Sequence, residues 1–96
     1  MAKLYRLFTE RKNVNAILRF VGQEFGGFTV YETIGYWQGK KERSLCIEIA
    51  VDKITADIPY KISSICWMIC GYNNQNCVLV QVLDVESQLI GQSGGM

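Results

Sequence analysis

Histidine is missing from this 96-residue chain. With it go the commonest general base, proton shuttle and metal ligand of proteins, so neither a His-based triad nor a Cys-His pair is possible. A charge excess is missing too: ten Lys and Arg stand against nine Asp and Glu, a net charge of +1. That balance lacks the strong basic field with which proteins hold duplex nucleic acid. No apolar run suits a membrane span, because the uncharged stretch from Ile62 to Leu83 is cut by Gly71-Tyr72-Asn73-Asn74-Gln75-Asn76. The GxSxG, HExxH and Walker lysine patterns are absent. These absences predict a soluble, cytoplasmic protein that is not an enzyme, uses no cofactor or metal and has no membrane partner.

Cysteine occurs four times, at Cys46, Cys66, Cys70 and Cys77. Residues 1 to 20 interleave Lys3, Arg6, Glu10, Arg11, Lys12 and Arg19 with apolar residues and hold no continuous hydrophobic core, which argues against a secreted disulfide scaffold. Reduced thiols are the expectation. Cys66 and Cys70, four apart, would share a helix face and could join the other two around zinc, but the tight spacing of zinc knuckles is missing. Each lies in an apolar run and reads as a small buried hydrophobe.

What the chain has in quantity is apolar surface: 49% of its residues are hydrophobic and 20% charged. A domain this short buries only about 60–65% of its extended surface, so apolar side chains stay outside unless another subunit covers them. A homo-oligomer, dimer or higher, is expected, with residues 1–90 as a single domain and 91–96 as a flexible tail.

Lys3 to Thr9 alternates as a first strand, with Leu4, Arg6 and Phe8 on one side and Tyr5 and Leu7 on the other. Asn13 is placed to cap a helix whose apolar positions Val14, Ile17, Leu18, Val21 and Phe25 share one face, and Gly26-Gly27 to end it through a left-handed residue. Phe28 to Trp37, aromatic and β-branched, predicts a strand. It joins a second strand, Arg43 to Val51, through the turn Gln38-Gly39-Lys40-Lys41. Thr55 or Asp57 caps a second helix with Pro59 in its first turn and Ile58, Ile62, Ile65, Cys66 and Ile69 as its core stripe. Gly71 to Asn76 is then a polar turn, and Cys77 to Val85 a last strand.

The order β-α-β-β-α-β with right-handed crossovers predicts an α+β, ferredoxin-like fold: a four-stranded antiparallel sheet with both helices on one face. The uncovered face is predicted to be apolar, carrying Tyr5, Leu7, Leu79, Leu83 and Val85, with Tyr31 and Trp37 beside them. On the second helix Tyr60, Trp67, Met68 and Cys70 lie off the core stripe. The expected subunit interface is therefore Tyr5, Leu7, Leu79 and Leu83 on the sheet and Tyr60, Trp67 and Met68 on the helix.

The segment from Gly35 to Arg43 packs two aromatics, three cations and two glycines into nine residues. Aromatic faces stack on bases, and Lys and Arg neutralise phosphate. Tyr36, Trp37, Lys40, Lys41 and Arg43 are thus the candidate contacts for a nucleotide-like anion, with Arg6 and Arg11 as second-line cations. The plainer alternative is a glycine turn with solubilising charges, flanked by aromatics that pack in the sheet or the interface. Gly26-Gly27 follows a helix instead of preceding one and is no phosphate loop. Glu32, Glu42 and Glu48 read as solvated or cross-strand-paired charges.

The strings Lys3-Leu4-Tyr5-Arg6-Leu7-Phe8-Thr9-Glu10, Gly27-Phe28-Thr29-Val30-Tyr31, Gly35-Tyr36-Trp37-Gln38-Gly39, Glu42-Arg43-Ser44-Leu45 and Asn73-Asn74-Gln75 resemble small uncharacterised proteins of bacteriophages and their bacterial hosts. More distantly, the element order is similar to the trimeric nitrogen-regulatory PII proteins, which bind nucleotides in clefts between subunits. The long exposed loop of those regulators is missing from this sequence, so their effector residues do not carry over. The phage-like resemblance implies an accessory protein in the host cytoplasm that sequesters a nucleotide signal in counter-defence. The alternative it implies is an interaction module that binds and inhibits a host protein.

Overall fold

Two of the four expected strands are apolar on both parities, so register decides which side chains form the core. A computed structural model describes residues 2–91. Along the chain run β1 (Ala2–Glu10), α1 (Val14–Glu24), β2 (Thr29–Trp37), β3 (Lys40–Val51), α2 (Ile58–Asn73) and β4 (Leu79–Val85). The sheet order is β2-β3-β1-β4 with every neighbouring pair antiparallel, consistent with a ferredoxin-like fold. No described helix is long and apolar enough to cross a membrane. The expected tail lies, apart from Gly91, outside the described residues.

Both helices pack on one face of the sheet. Ile17 and Val21 of α1 and Ile58, Ile62, Ile65 and Ile69 of α2 form one cluster with Tyr5 and Leu7 of β1 and Ile47, Ile49 and Val51 of β3. This corrects the expected interface: Tyr5 and Leu7 are buried in the core and take no part in the open face. The physical reason is register. Leu7 lies opposite Ile47 and Tyr5 opposite Ile49, whereas Leu79 lies opposite Phe8 and Leu83 opposite Leu4, on the other parity of β1. That second parity also carries Arg6, whose charge is expensive to bury under two helices. Burying side chains such as Leu7, Ile47 and Ile49 contributes about 1.5–3 kcal/mol each.

The helix ends differ from expectation in instructive ways. At the start of α1, Asn13 adopts a left-handed conformation (φ 51°) and makes no side-chain cap. Its Nδ2 instead donates to Tyr72 O at 3.0 Å and Asn73 Oδ1 at 3.1 Å, tying α1 to the end of α2. Gly26 and Gly27 do not supply a left-handed stop, because α1 ends at Glu24 and the extended Phe25 turns the chain away with its N–H on Val21 O. In α2, Asp57 occupies the cap position and Pro59 the first turn, and the helix extends into the expected polar turn, ending at Asn73. The left-handed residue that ends it is Asn74, at φ 51°.

The β2–β3 turn is two residues long. Gln38 and Gly39 both have positive φ, the geometry that matches the twist of a tight hairpin, so Lys40 and Lys41 belong to β3. Pairing of β1 with β3 stops at Glu10 and Ser44, while the β2–β3 ladder continues to Trp37 and Lys40. Residues 34–43 therefore project past the sheet as a two-stranded ribbon, along a molecule measuring 50 × 25 × 24 Å.

Candidate functional site

Where β1 leaves the sheet, the ribbon loses its neighbour. A notch of about 540 Å³ opens there, between the ribbon and the turn that leads from α2 into β4. Phe8, Tyr36, Trp37 and Leu79 give it apolar and aromatic walls, Thr9, Thr33 and Ser44 its hydroxyls, and Asn74, Gln75 and Asn76 its amides. Its charged members are Glu10 and Glu42. Glycine at position 35 preserves the shape, because a Cβ there would sit 2.9 Å from Ser44 Oγ. Thr33 Oγ1 is buried with no hydrogen-bond partner among the described residues, the kind of orphaned group that a ligand can satisfy.

A buried polar network fixes the amide wall. Asn73, only 3% exposed, donates from Nδ2 to Gln75 Oε1 at 2.9 Å. The same nitrogen reaches Glu10 O at 3.4 Å, and Asn73 Oδ1 accepts from Asn13. Thr9 donates from Oγ1 to Gln75 Oε1 at 3.0 Å, and Gln75 Nε2 donates to Cys77 O at 2.7 Å. The Gln75 amide is thus held at both ends before any ligand arrives, which lowers the entropy cost of using this wall for recognition.

Across the ribbon lies a second recess of about 750 Å³, containing Arg11, Lys41 and Arg43 beside Glu32 and Glu42. Arg11 is ion-paired with Glu32 there. The candidate contacts are therefore divided: Tyr36 and Trp37 line the notch, whereas Lys41, Arg43 and Arg11 line the opposite recess. Lys40, exposed beside the turn and opposite Trp37, lines neither. Sequence reasoning missed Phe8, Thr9, Thr33, Ser44 and the amide turn. The run Asn73-Asn74-Gln75-Asn76 was the available signal, since four consecutive amides exceed what a turn requires.

Arg6 lies on the open face of the sheet, opposite Glu48, with Nε 3.3 Å from Glu48 Oε2 and its guanidinium 5.5 Å from the Phe8 ring centre. The Tyr31 hydroxyl donates to Glu48 Oε2 at 2.8 Å. Its pKa is raised, first by the Cys46 thiol across the strand pair and then by the Glu48 carboxylate. The exposed Leu79 and Leu83 share this face with the polar cluster. On α2, Tyr60, Trp67 and Met68 are exposed as well.

The four thiols are dispersed in environment: Cys46 buried, Cys66 and Cys70 half-buried, Cys77 exposed. Burial pushes the Cys66 thiol up to about 11, with Cys70 adding to the shift. Among the described residues, no group of three His, Cys, Asp or Glu is arranged to hold a metal.

Neither a protein-family model nor a curated protein matches the sequence. Solved structures do match the fold. A DUF3240 family protein from Shewanella baltica OS155 superposes with a TM-score of 0.76 at 12% identity, over 95% of this chain and 97% of the other. A phage SAM lyase in complex with S-methyl-5′-thioadenosine superposes with a TM-score of 0.61 at 14% identity, over 86% of this chain and 81% of the other. At such identities the likeness is one of fold.

Proposed function

We propose that this protein is a non-enzymatic binding protein for a nucleoside-like ligand, held in the notch beside the β2–β3 ribbon, and that it works as an oligomer. The observation that carries the reading is the meeting, in one recess, of aromatic walls with three amides, of which Gln75 is held in place by the buried network. A purine offers a π-face that stacks on Trp37, Tyr36 or Phe8, and an edge of donors and acceptors that Asn and Gln side chains match, adenine best of all. The volume of about 540 Å³ falls within the range of small-molecule sites. The phage lyase of similar fold holds an adenine nucleoside, which accords with this ligand class.

Charge narrows the ligand further. Of the cations that suggested an anion, Lys41, Arg43 and Arg11 lie across the ribbon, while the charged groups lining the notch are Glu10, paired with Lys12, and Glu42, which disfavour phosphate. An uncharged nucleoside is favoured, with its ribose hydroxyls donating to the carboxylates. Binding without turnover is part of the proposal: the Thr9 hydroxyl is committed to Gln75, and the chain has no histidine to activate another. Sequestration of such a ligand is the role that a phage-type accessory protein would give it. A module that docks on a host protein through Trp67 and Met68 is the second reading, favoured by the exposure of those side chains.

Isothermal titration with adenosine, S-methyl-5′-thioadenosine and adenosine monophosphate tests the proposal. Saturable binding of the two uncharged nucleosides is expected, about tenfold weaker for the monophosphate. Trp37→Ala should lose about tenfold or more, from a stacking contribution of about 1–3 kcal/mol. Chromatography should recover the ligand unchanged. Absence of binding, or equal binding by Trp37→Ala, overturns the reading, and a consumed ligand overturns its non-enzymatic part.

A further inference from the structure

The outward ridge of α2 is uncharged and runs Tyr60, Ser64, Trp67, Gly71, positions that succeed one another along the side opposite the buried isoleucines. Large and small residues alternate on it. Trp67 is 85% exposed and Tyr60 75%, with Tyr72 at 53% and Met68 at 40% flanking them. Gly71 is unexplained by the fold itself, since a Cβ there would meet nothing within 4 Å and glycine inside a helix costs about 0.5–1 kcal/mol relative to alanine.

The alternation is self-complementary. If two α2 helices pair antiparallel about a two-fold axis between Ile65 and Cys66, Tyr60 falls over Gly71 of the second copy and Trp67 over Ser64. Both large side chains of the ridge, Tyr60 and Trp67, then face a small one, as ridge-into-groove packing requires, and the near-axial ridge suits the shallow crossing of antiparallel helices. A two-fold contact repeats each pairing twice. The exposed parts of Tyr60 and Trp67 amount to about 300 Å² per protomer, and the standard interface buries about 800 Å² per partner. The small residues and Met68 of the same ridge add to the aromatic share.

We infer that the α2 ridge is a dimerisation surface whose partner is α2 of a second copy, in antiparallel two-fold register. This inference stands independently of the ligand in the notch. A foreign protein would have no reason to demand a large–small order that is symmetric about the centre of the helix.

The test is a set of exchanges between positions 64 and 67, read by sedimentation velocity across a concentration series, with circular dichroism to verify the fold. Both positions are exposed, so the fold is expected to survive each change. The wild type should associate, and Ser64→Trp should halve the mass of the assembly by setting indole against indole. Trp67→Ser should weaken association at least tenfold. The double exchange Ser64→Trp with Trp67→Ser should restore the wild-type mass, since in this register alone each tryptophan again meets a serine. Gly71→Leu supplies a second arm, because it fills the socket for Tyr60 and should also dissociate the assembly. A wild type that stays monomeric, a double exchange as dissociated as Ser64→Trp, or an assembly indifferent to all four variants overturns the inference.

Discussion

Asn73 joins three segments of the chain through one side chain. It receives a hydrogen bond from Asn13 at the start of α1 and donates to Glu10 O at the end of β1 and to Gln75 in the turn after α2. Replacing it with alanine leaves Asn13 Nδ2 one acceptor short and Gln75 Oε1 one donor short, and an unpaired buried group costs about 1–3 kcal/mol. Asn73→Ala should therefore lower the unfolding free energy by that amount in a denaturant titration. Its effect on nucleoside binding should exceed its effect on far-ultraviolet dichroism, because the amide wall loosens while the helix remains. None of this was legible in the sequence. A run of polar residues after an apolar helix looks like a turn, and only the continuation of α2 to Asn73 brings that side chain inward to meet Thr9. Asn13 shows the same limit: the residue type favoured at a cap was recognised, yet its side chain serves a neighbouring helix and not its own.

At the level of elements, β1 is the strand on which the sequence was ambiguous and the fold is not. Leu7 and Leu83 were expected on the same exposed surface, but Leu7 is fully buried beneath the helices and Leu83 lies on the open face. Leu7→Ala should accordingly cost about 2–5 kcal/mol, whereas Leu83→Ala should cost well under half as much. Chemical denaturation of the two variants distinguishes the registers, since equal losses would place both leucines on one side. Parity failed here because both faces of β1 are partly apolar and the alternation of β4 carries no charge until Asp84. Periodicity succeeded in β3 from Leu45 to Val51, where one face is far more apolar than the other, and in α2, where the isoleucines recur at helical spacing while Ser64 and Gly71 interrupt the opposite ridge. Sequence also located the hairpin, but not that its ladder outruns β1, which depends on where a neighbouring strand stops.

For the whole molecule, the element order was enough to predict the antiparallel sheet and the two helices, because short connections and right-handed crossovers leave few alternatives. The site was half legible. Trp37 and Tyr36 were singled out from composition, and both line the notch, but Lys41 and Arg43 line the recess across the ribbon and Lys40, opposite Trp37, lines neither. The ligand proposed for the notch is accordingly an uncharged nucleoside, where the sequence pointed to an anion. The most direct test is a heteronuclear NMR titration of the labelled protein with S-methyl-5′-thioadenosine. Shifts confined to the Trp37 indole N–H, the side-chain amides of Asn74, Gln75 and Asn76, and the backbone of Thr33 and Ser44 are expected. Shifts centred on Arg11, Lys41 and Arg43, or a spectrum unchanged at saturating ligand, would contradict a nucleoside site in the notch.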